Sequence, residues 1–170
     1  MSAIVNTSQM TSRRDSKSHA AQNHWIAERV FDWCGVPVTY LRPTLFAELA
    51  ALSFLLEKHR RKEHPRSAFW YGTVCTDRFG GTGRVVAAIL ARPTEHAGST
   101  YQLFGPLELD GDGIAAATSE VLGRTIRYSA VEITEFEQML AHIPRLPPYF
   151  VQHVGAIAVD CQNGVTARHQ

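Results

Sequence analysis

The chain has 170 residues, 45% hydrophobic and 19% charged, about one domain in length and of ordinary globular composition, which excludes a wholly disordered or fibrous chain. Seventeen Lys and Arg against sixteen Asp and Glu leave a formal charge of +1, so there is no basic excess to follow a phosphate backbone and no nucleic-acid partner is expected. The three cysteines, Cys34, Cys75 and Cys161, form no Cys-x-x-Cys pair, which indicates neither a disulfide framework nor a zinc ribbon and fits a reducing cytoplasm.

Met1 to Thr7 shows no charged region followed by an apolar segment, so no secretory signal is read there. Ala3, Ile4 and Val5 predict a short strand within Ser2 to Gln9. Thr11 to Ser18, with Arg13, Arg14, Asp15 and Lys17, predicts a solvated loop ending in a helix cap at Ser16 or Ser18. A helix to about Cys34 follows, with Ile26, Val30 and Trp33 recurring as an apolar stripe and Gly35 placed for a left-handed cap. Val36 to Leu41 predicts a strand that tolerates Pro37 only at its beginning.

Thr44 can cap a core helix to roughly Lys58; its longest apolar stretch, Leu45 to Leu56, is too short to cross a bilayer, and no membrane association is expected. Between Lys58 and Gly83 the pattern fails. A basic run is followed by Gly72, Gly80, Gly81 and Gly83, and no period can be assigned. Val85, Val86, Ile89 and Leu90 suggest a short buried helix before Pro93, and Ser99 to Phe104 a strand closed by Gly105-Pro106. Asp110 or Asp112 can cap a helix in which Ile114, Ala117 and Val121 share a face and which Gly123 ends. A strand from Thr125 to Val131, an amphipathic helix from Thr134 to His142, a Pro-rich link and a last helix ending before Gly164 complete the chain. Alternating strands and helices predict an α/β fold with parallel pairing and right-handed crossovers.

Three places invite a functional reading. Asn6-Thr7-Ser8-Gln9 closes the opening strand, and open parallel sheets bind ligands beyond the carboxyl ends of their strands; the plain alternative is a strand-to-loop transition. His24 and Glu28 lie one helical turn apart, and an exposed ion pair is the favoured reading over a general base. Arg42-Pro43-Thr44 stands between a strand and a helix, where an anion could bind; a structural Arg and a capping Thr are the plainer reading. His59 and His64 lack metal-ligand spacing, so no metal site is expected. Gly80-Gly81-Thr82-Gly83-Arg84 resembles a phosphate loop in composition only.

These residues also carry a family resemblance. Asn6 to Met10, Arg14 to Ala21, His24 to Trp33 and Leu41 to Thr44 resemble the NmrA-like branch of the atypical short-chain dehydrogenases, as do Arg84 to Leu90, Tyr101 to Pro106, Ile114 to Ala116, Leu122 to Arg124 and Gln152-His153. The resemblance implies an incomplete Rossmann-like doubly wound parallel sheet, its C-terminal half, with a small α/β substrate-side subdomain. On that reading 1–57 is the C-terminal part of the NAD(P)-binding domain, 58–83 a divergent or irregular segment and 84–170 the substrate-side region. The implied cofactor is NAD(P), with Ser8, Gln9, His24, Arg42, Pro43 and Thr44 matching the nicotinamide end. The glycine-rich turn for the pyrophosphate is missing, so this chain alone is expected not to bind the dinucleotide.

Typical short-chain dehydrogenases move a proton with a Tyr-x-x-x-Lys pair. Judged by the Glu four residues later, His24 here holds the Lys position and Ala20 the Tyr position, and no catalytic residue is assigned. The resemblance implies a redox sensor or regulator, truncated in this chain; the alternatives are an NAD(P)H-dependent quinone or azo reductase and an inactive gene remnant. Its expected partners are a dinucleotide or small-molecule substrate, with self-association through an exposed sheet edge. The stretch 58–83 is either frame-shifted or a divergent surface loop.

Overall fold

The computed structural model describes residues 3–46, 66–67, 74–75 and 79–167. The opening apolar run forms strand β1, Ile4–Thr7, and a polar loop leads into helix α1, His19–Trp33, and strand β2, Val38–Pro43. Strands β3 (Arg66–Ser67) and β4 (Val74–Cys75) precede helices α2 (Phe79–Ala91) and α3 (Pro93–His96). Strand β5 (Thr100–Leu103), strand β6 (Glu108–Leu109), helix α4 (Gly111–Leu122), strand β7 (Ser129–Ala130), helix α5 (Ile133–Ala141) and helix α6 (Pro148–Gln162) follow.

β1, β2 and β5 form a parallel sheet in that order, with Ile4 opposite Val38 and Tyr40 opposite Thr100. Parallel neighbours need a crossover, and α1 lies in the one between β1 and β2. The central strand is buried at Val38, Thr39, Tyr40, Leu41 and Pro43. β3 pairs with β7 in parallel and β4 with β6 antiparallel, as small ladders apart from the main sheet. An apolar cluster of Ile114, Val131, Phe136, Leu140, Val154, Ala158 and Cys161 joins α4, α5 and α6. Helix ends follow local chemistry: Ser18 and Asp110 accept hydrogen bonds from Ala21 N and Gly113 N, and Gly35 and Gly123 take positive φ.

Several expectations need correction. Thr11 to Ser18 is not a solvated loop: Thr11, Ser12, Ser16 and Ser18 are buried, and only Arg14, Asp15 and Lys17 are exposed. The stripe of α1 faces away from the sheet, with Ile26, Val30 and Trp33 at 51, 52 and 80% exposure. The helix instead turns Ala21 and Glu28 inward, because the bonds Glu28 makes to β2 fix the rotation of α1 about its axis. The glycine run 80–83, expected to be irregular, is helical within α2, which packs against β1 and buries only Thr82 and Ile89 among 80–91. In α4 Ile114 is buried, whereas Ala117 and Val121 are exposed. Of the strand expected over Thr125 to Val131, only Ser129–Ala130 pairs. The helix expected to Lys58 lies outside the described residues, as does most of 58–83.

Candidate functional site

The carboxyl ends of the three parallel strands meet at one place. Ser8 N donates to Leu41 O (2.8 Å), Met10 N to Pro43 O (3.0 Å) and Thr44 N to Leu103 O (3.0 Å), which brings residues 8–10 and Thr44 side by side where the sheet ends. The backbone here is satisfied and the side chains are not. Among the described residues Ser8 Oγ, Gln9 Nε2, Thr11 Oγ1, Ser12 Oγ and Thr44 Oγ1 are buried without a hydrogen-bond partner, a condition shared by Arg29 Nε, which lies near Glu28, and by Thr166 Oγ1. Buried polar atoms are rarely left unpaired, since each costs about 1–3 kcal/mol. Five of them in one neighbourhood describe a surface suited to polar groups that the described residues do not supply.

Behind this surface lies a charged network. Arg42 Nε and Nη2 donate to Glu28 Oε1 and Oε2 at 3.0 and 2.6 Å. Glu28 is fully buried, so the expected surface pair with His24 is not formed; its charge acts on His24 only through space. Burial pushes the Glu28 carboxyl up, but the hydrogen bonds from Arg42, the nearby Ser8 hydroxyl and the charges of Arg42 and Arg29 outweigh it and hold the group below the usual carboxylate range. Ser8 thus lies close enough to favour the carboxylate, yet in a geometry that leaves its Oγ without a regular hydrogen bond. The Tyr40 hydroxyl lies 2.8 Å from Glu28 O and 2.7 Å from Asp32 Oδ1, either of which accepts its proton. Arg29 pairs with Asp32 at 3.0 Å and lies over the Trp25 ring.

Two histidines continue the network toward α6. His24 is half-buried, and burial lowers its pKa against the pull of Glu28. Burial and the neighbouring His24 both lower His153. His153 Nδ1 lies 2.6 Å from Ser18 Oγ, which already accepts from Ala21 N. Ser18 Oγ keeps both its proton and a second lone pair for this contact, so it serves either tautomer of the imidazole. Sequence reasoning placed Gln152-His153 only in the resemblance; no local periodicity could have brought α6 to α1.

The six predicted residues divide in two. Ser8, Gln9, Pro43 and Thr44 lie together at the strand ends, whereas Arg42 gives two of its nitrogens to Glu28 and His24 stands on α1 facing α6. Thr11 and Ser12 belong with the first group and were missed, because a polar composition was read as exposure. Of the two glycine-bearing helix starts, that of α4 offers no open anion cradle, because the Asp110 carboxylate takes Gly113 N at 2.8 Å beside Asp112. Gly80 to Gly83 lies in the first turns of α2, whose start adjoins residues outside the described ones. Burial pushes the Cys161 thiol up to about 11, which leaves it inert. A cavity of about 260 Å³ lined by Ala3, Pro37, Pro93, Thr94 and Ala97 opens at the amino ends of the strands, away from this cluster. Among the described residues no group of three or more His, Cys, Asp or Glu could hold a metal ion, and no helix is long and apolar enough to cross a membrane.

No protein-family profile and no curated protein matches the chain. Solved structures do. An NADPH-dependent quinone oxidoreductase from Escherichia coli superposes with a TM-score of 0.82 at 19% identity, over 98% of this chain and 58% of its own. Triphenylmethane reductase from a Citrobacter species, solved with NADP(H), gives 0.77 at 20% identity over 99% and 57%. A doubly substituted NmrA gives 0.64 at 15% identity over 95% and 51%. At these identities the likeness shows the fold: a Rossmann-like α/β chain that spans between half and three fifths of these proteins' lengths.

Proposed function

We propose that this chain is an NmrA-like NAD(P)-binding protein of the redox-sensor or regulator kind, and that the polar surface at the carboxyl ends of β1, β2 and β5 receives the nicotinamide end of the dinucleotide. The observation that carries this reading is the group of five unpartnered buried atoms, on Ser8, Gln9, Thr11, Ser12 and Thr44, at the edge where parallel sheets take their ligands. An amide and a ribose bring donors and acceptors of the kind those atoms need. Solved structures of the same fold hold NADPH or NADP(H). When bound, the cofactor supplies a hydride; this chain's own residues bind and orient its polar end, with Arg42 and Glu28 fixing the distance between α1 and β2 behind it.

The pyrophosphate is a different matter, because the glycine-bearing start of α4 already gives Gly113 N to the Asp110 carboxylate and carries the acidic Asp112. On this reading affinity resides chiefly in the nicotinamide end. The test is a fluorescence titration of the purified chain with NADPH and, separately, with reduced nicotinamide mononucleotide. The expected result is weak binding of both with similar dissociation constants. No binding of either overturns the reading, and NADPH bound about 100-fold more tightly, about 2.7 kcal/mol, places a phosphate site in the chain after all.

A second reading, an NAD(P)H-dependent quinone or azo reductase, is favoured by the half-buried His24 and His153, whose burial disfavours the charged imidazole. NADPH oxidation that needs a quinone or dye and is lost in His24→Ala would establish it. Among the described residues β1 pairs on one side only, and self-association through its free edge is expected to appear as a size that grows with concentration.

A further inference from the structure

The loop that carries Thr11 and Ser12 is held by a helix from the far end of the chain. Arg13 turns its guanidinium onto Asp160 of α6, with Nη1 to Oδ2 at 2.9 Å and Nη2 to Oδ1 at 2.6 Å, 147 positions apart in sequence. The Asp160 side chain is 5% exposed, so this is a bidentate pair on a buried carboxylate, and it raises the Arg13 pKa. The same Nη1 reaches Thr11 O at 3.4 Å, and Nε lies 3.5 Å from Asp15. One side chain thus fastens α6 to the backbone of Thr11, a residue whose own hydroxyl, with that of Ser12, is among the unpartnered atoms. Two more ties come from the same helix. His153 meets Ser18 Oγ, and the Gln152 side chain donates to Lys17 O and accepts from His19 N. His153 and Asp160 are seven residues, two helical turns, apart and so share a face, while Val154, Ala158 and Cys161 lie in the apolar cluster.

We propose that Asp160 is a positioning residue for the ligand site: through Arg13 it seats loop 8–18 so that the Thr11 and Ser12 hydroxyls stand buried at the strand ends. Asp160 itself touches no ligand. The seat exists whether or not a ligand is bound, and only its consequence for binding rests on the reading given under Proposed function.

The loop reports its own position, because Arg14 and Lys17 are exposed within it and trypsin cuts after them once the backbone leaves its seat. In the full chain, Asp160→Asn is expected to speed cleavage after Arg14 and Lys17 and amide exchange at residues 11–18 by about tenfold or more, the scale of a lost charged hydrogen bond. Cleavage after Arg124 and Arg127 is expected to stay as it is. Arg13→Gln should do the same, the double variant no more than either single, and the exchange Arg13→Asp with Asp160→Arg should restore part of the protection. If Asp160→Asn loosens every site because it fails to fold, Arg13→Gln, in which no charge at a helix core is altered, carries the measurement. Loop protection unchanged in all variants, or single effects that simply add, overturns the proposal. In parallel, the NADPH dissociation constant is expected to rise about tenfold with the loop's release; a loosened loop with unchanged affinity refutes the positioning role. A wild-type chain that binds no NADPH refutes the functional reading, and the seat then stands or falls on the protection result alone.

Discussion

The two faces of α6 belong to two regions built on opposite principles. On one, Val154, Ala158 and Cys161 join Phe136, Leu140, Ile114 and Val131 in an apolar cluster. On the other, His153, Gln152 and Asp160 hold the loop beyond β1, next to buried ion pairs and hydroxyls without partners. The apolar region gains stability from area removed from water. The polar region spends some of it, because unpaired buried groups are retained there. That contrast supports the proposed ligand surface more firmly than any single residue does, since among the described residues a chain that caps α1 and α4 leaves five polar atoms idle around the strand ends.

The contrast can be broken from either side. Phe136→Ala is expected to cost about 4 kcal/mol, read as a lower denaturant midpoint, and to lower the stability of the whole chain with no preference for the strand-end loop. Glu28→Ala should cost about 3 kcal/mol, the lower end of what breaking a buried pair costs, because Arg42 keeps a quarter of its side chain in water. Here the change should be local first, with faster amide exchange in α1 and β2 than in α5. Equal exchange changes in the two variants would erase the distinction between the regions.

Acid should act on the polar region alone. His24, His153 and Glu28 all bind a proton more weakly in the folded chain than in the unfolded one, so lowering the pH favours unfolding. The histidine contributions are present above about 6.5 and are lost as the pH falls through their lowered values; that of Glu28 is present above about 4.5 and is lost lower still. Thermal melting should be level from neutral pH to about 9, where the raised Cys161 and Tyr40 groups begin to oppose folding, and decline in two stages below neutral. His24→Gln with His153→Gln should remove the first stage and Glu28→Gln the second. Ser18→Ala, which deletes the α1 cap and the partner of His153, is expected to cost about 1 kcal/mol.

How far the sequence disclosed this arrangement depends on how local the controlling interaction is. The caps, narrowed to Ser16 or Ser18 and to Asp110 or Asp112, the left-handed Gly35 and the strands β1, β2 and β5 were legible because a few neighbouring residues decide them. The face that α1 buries was not. Ile26, Val30 and Trp33 have the spacing of a packing stripe, but an ion pair between residues 28 and 42 sets the rotation. The proposed site was half legible: Ser8, Gln9 and Thr44 follow from the rule about strand ends, whereas the loop of Thr11 and Ser12 is tied through Arg13 to Asp160, 147 positions away, which no window along the chain contains.

Thr44 offers the smallest and sharpest test. Its Oγ1 is buried and unpartnered, while its backbone N is bonded to Leu103 O, so Thr44→Val changes a hydroxyl for a methyl of similar shape and leaves the backbone bond. If the hydroxyl is kept for a ligand, its burial is a standing cost to the free chain, and the valine variant should be more stable by about 1 kcal/mol while binding NADPH more weakly. Stability rising as affinity falls is the signature of a residue kept for binding. A valine variant that loses stability would mean that the hydroxyl already has a partner inside the protein, and the polar region would then be a scaffold of the same kind as the apolar one, built from different materials.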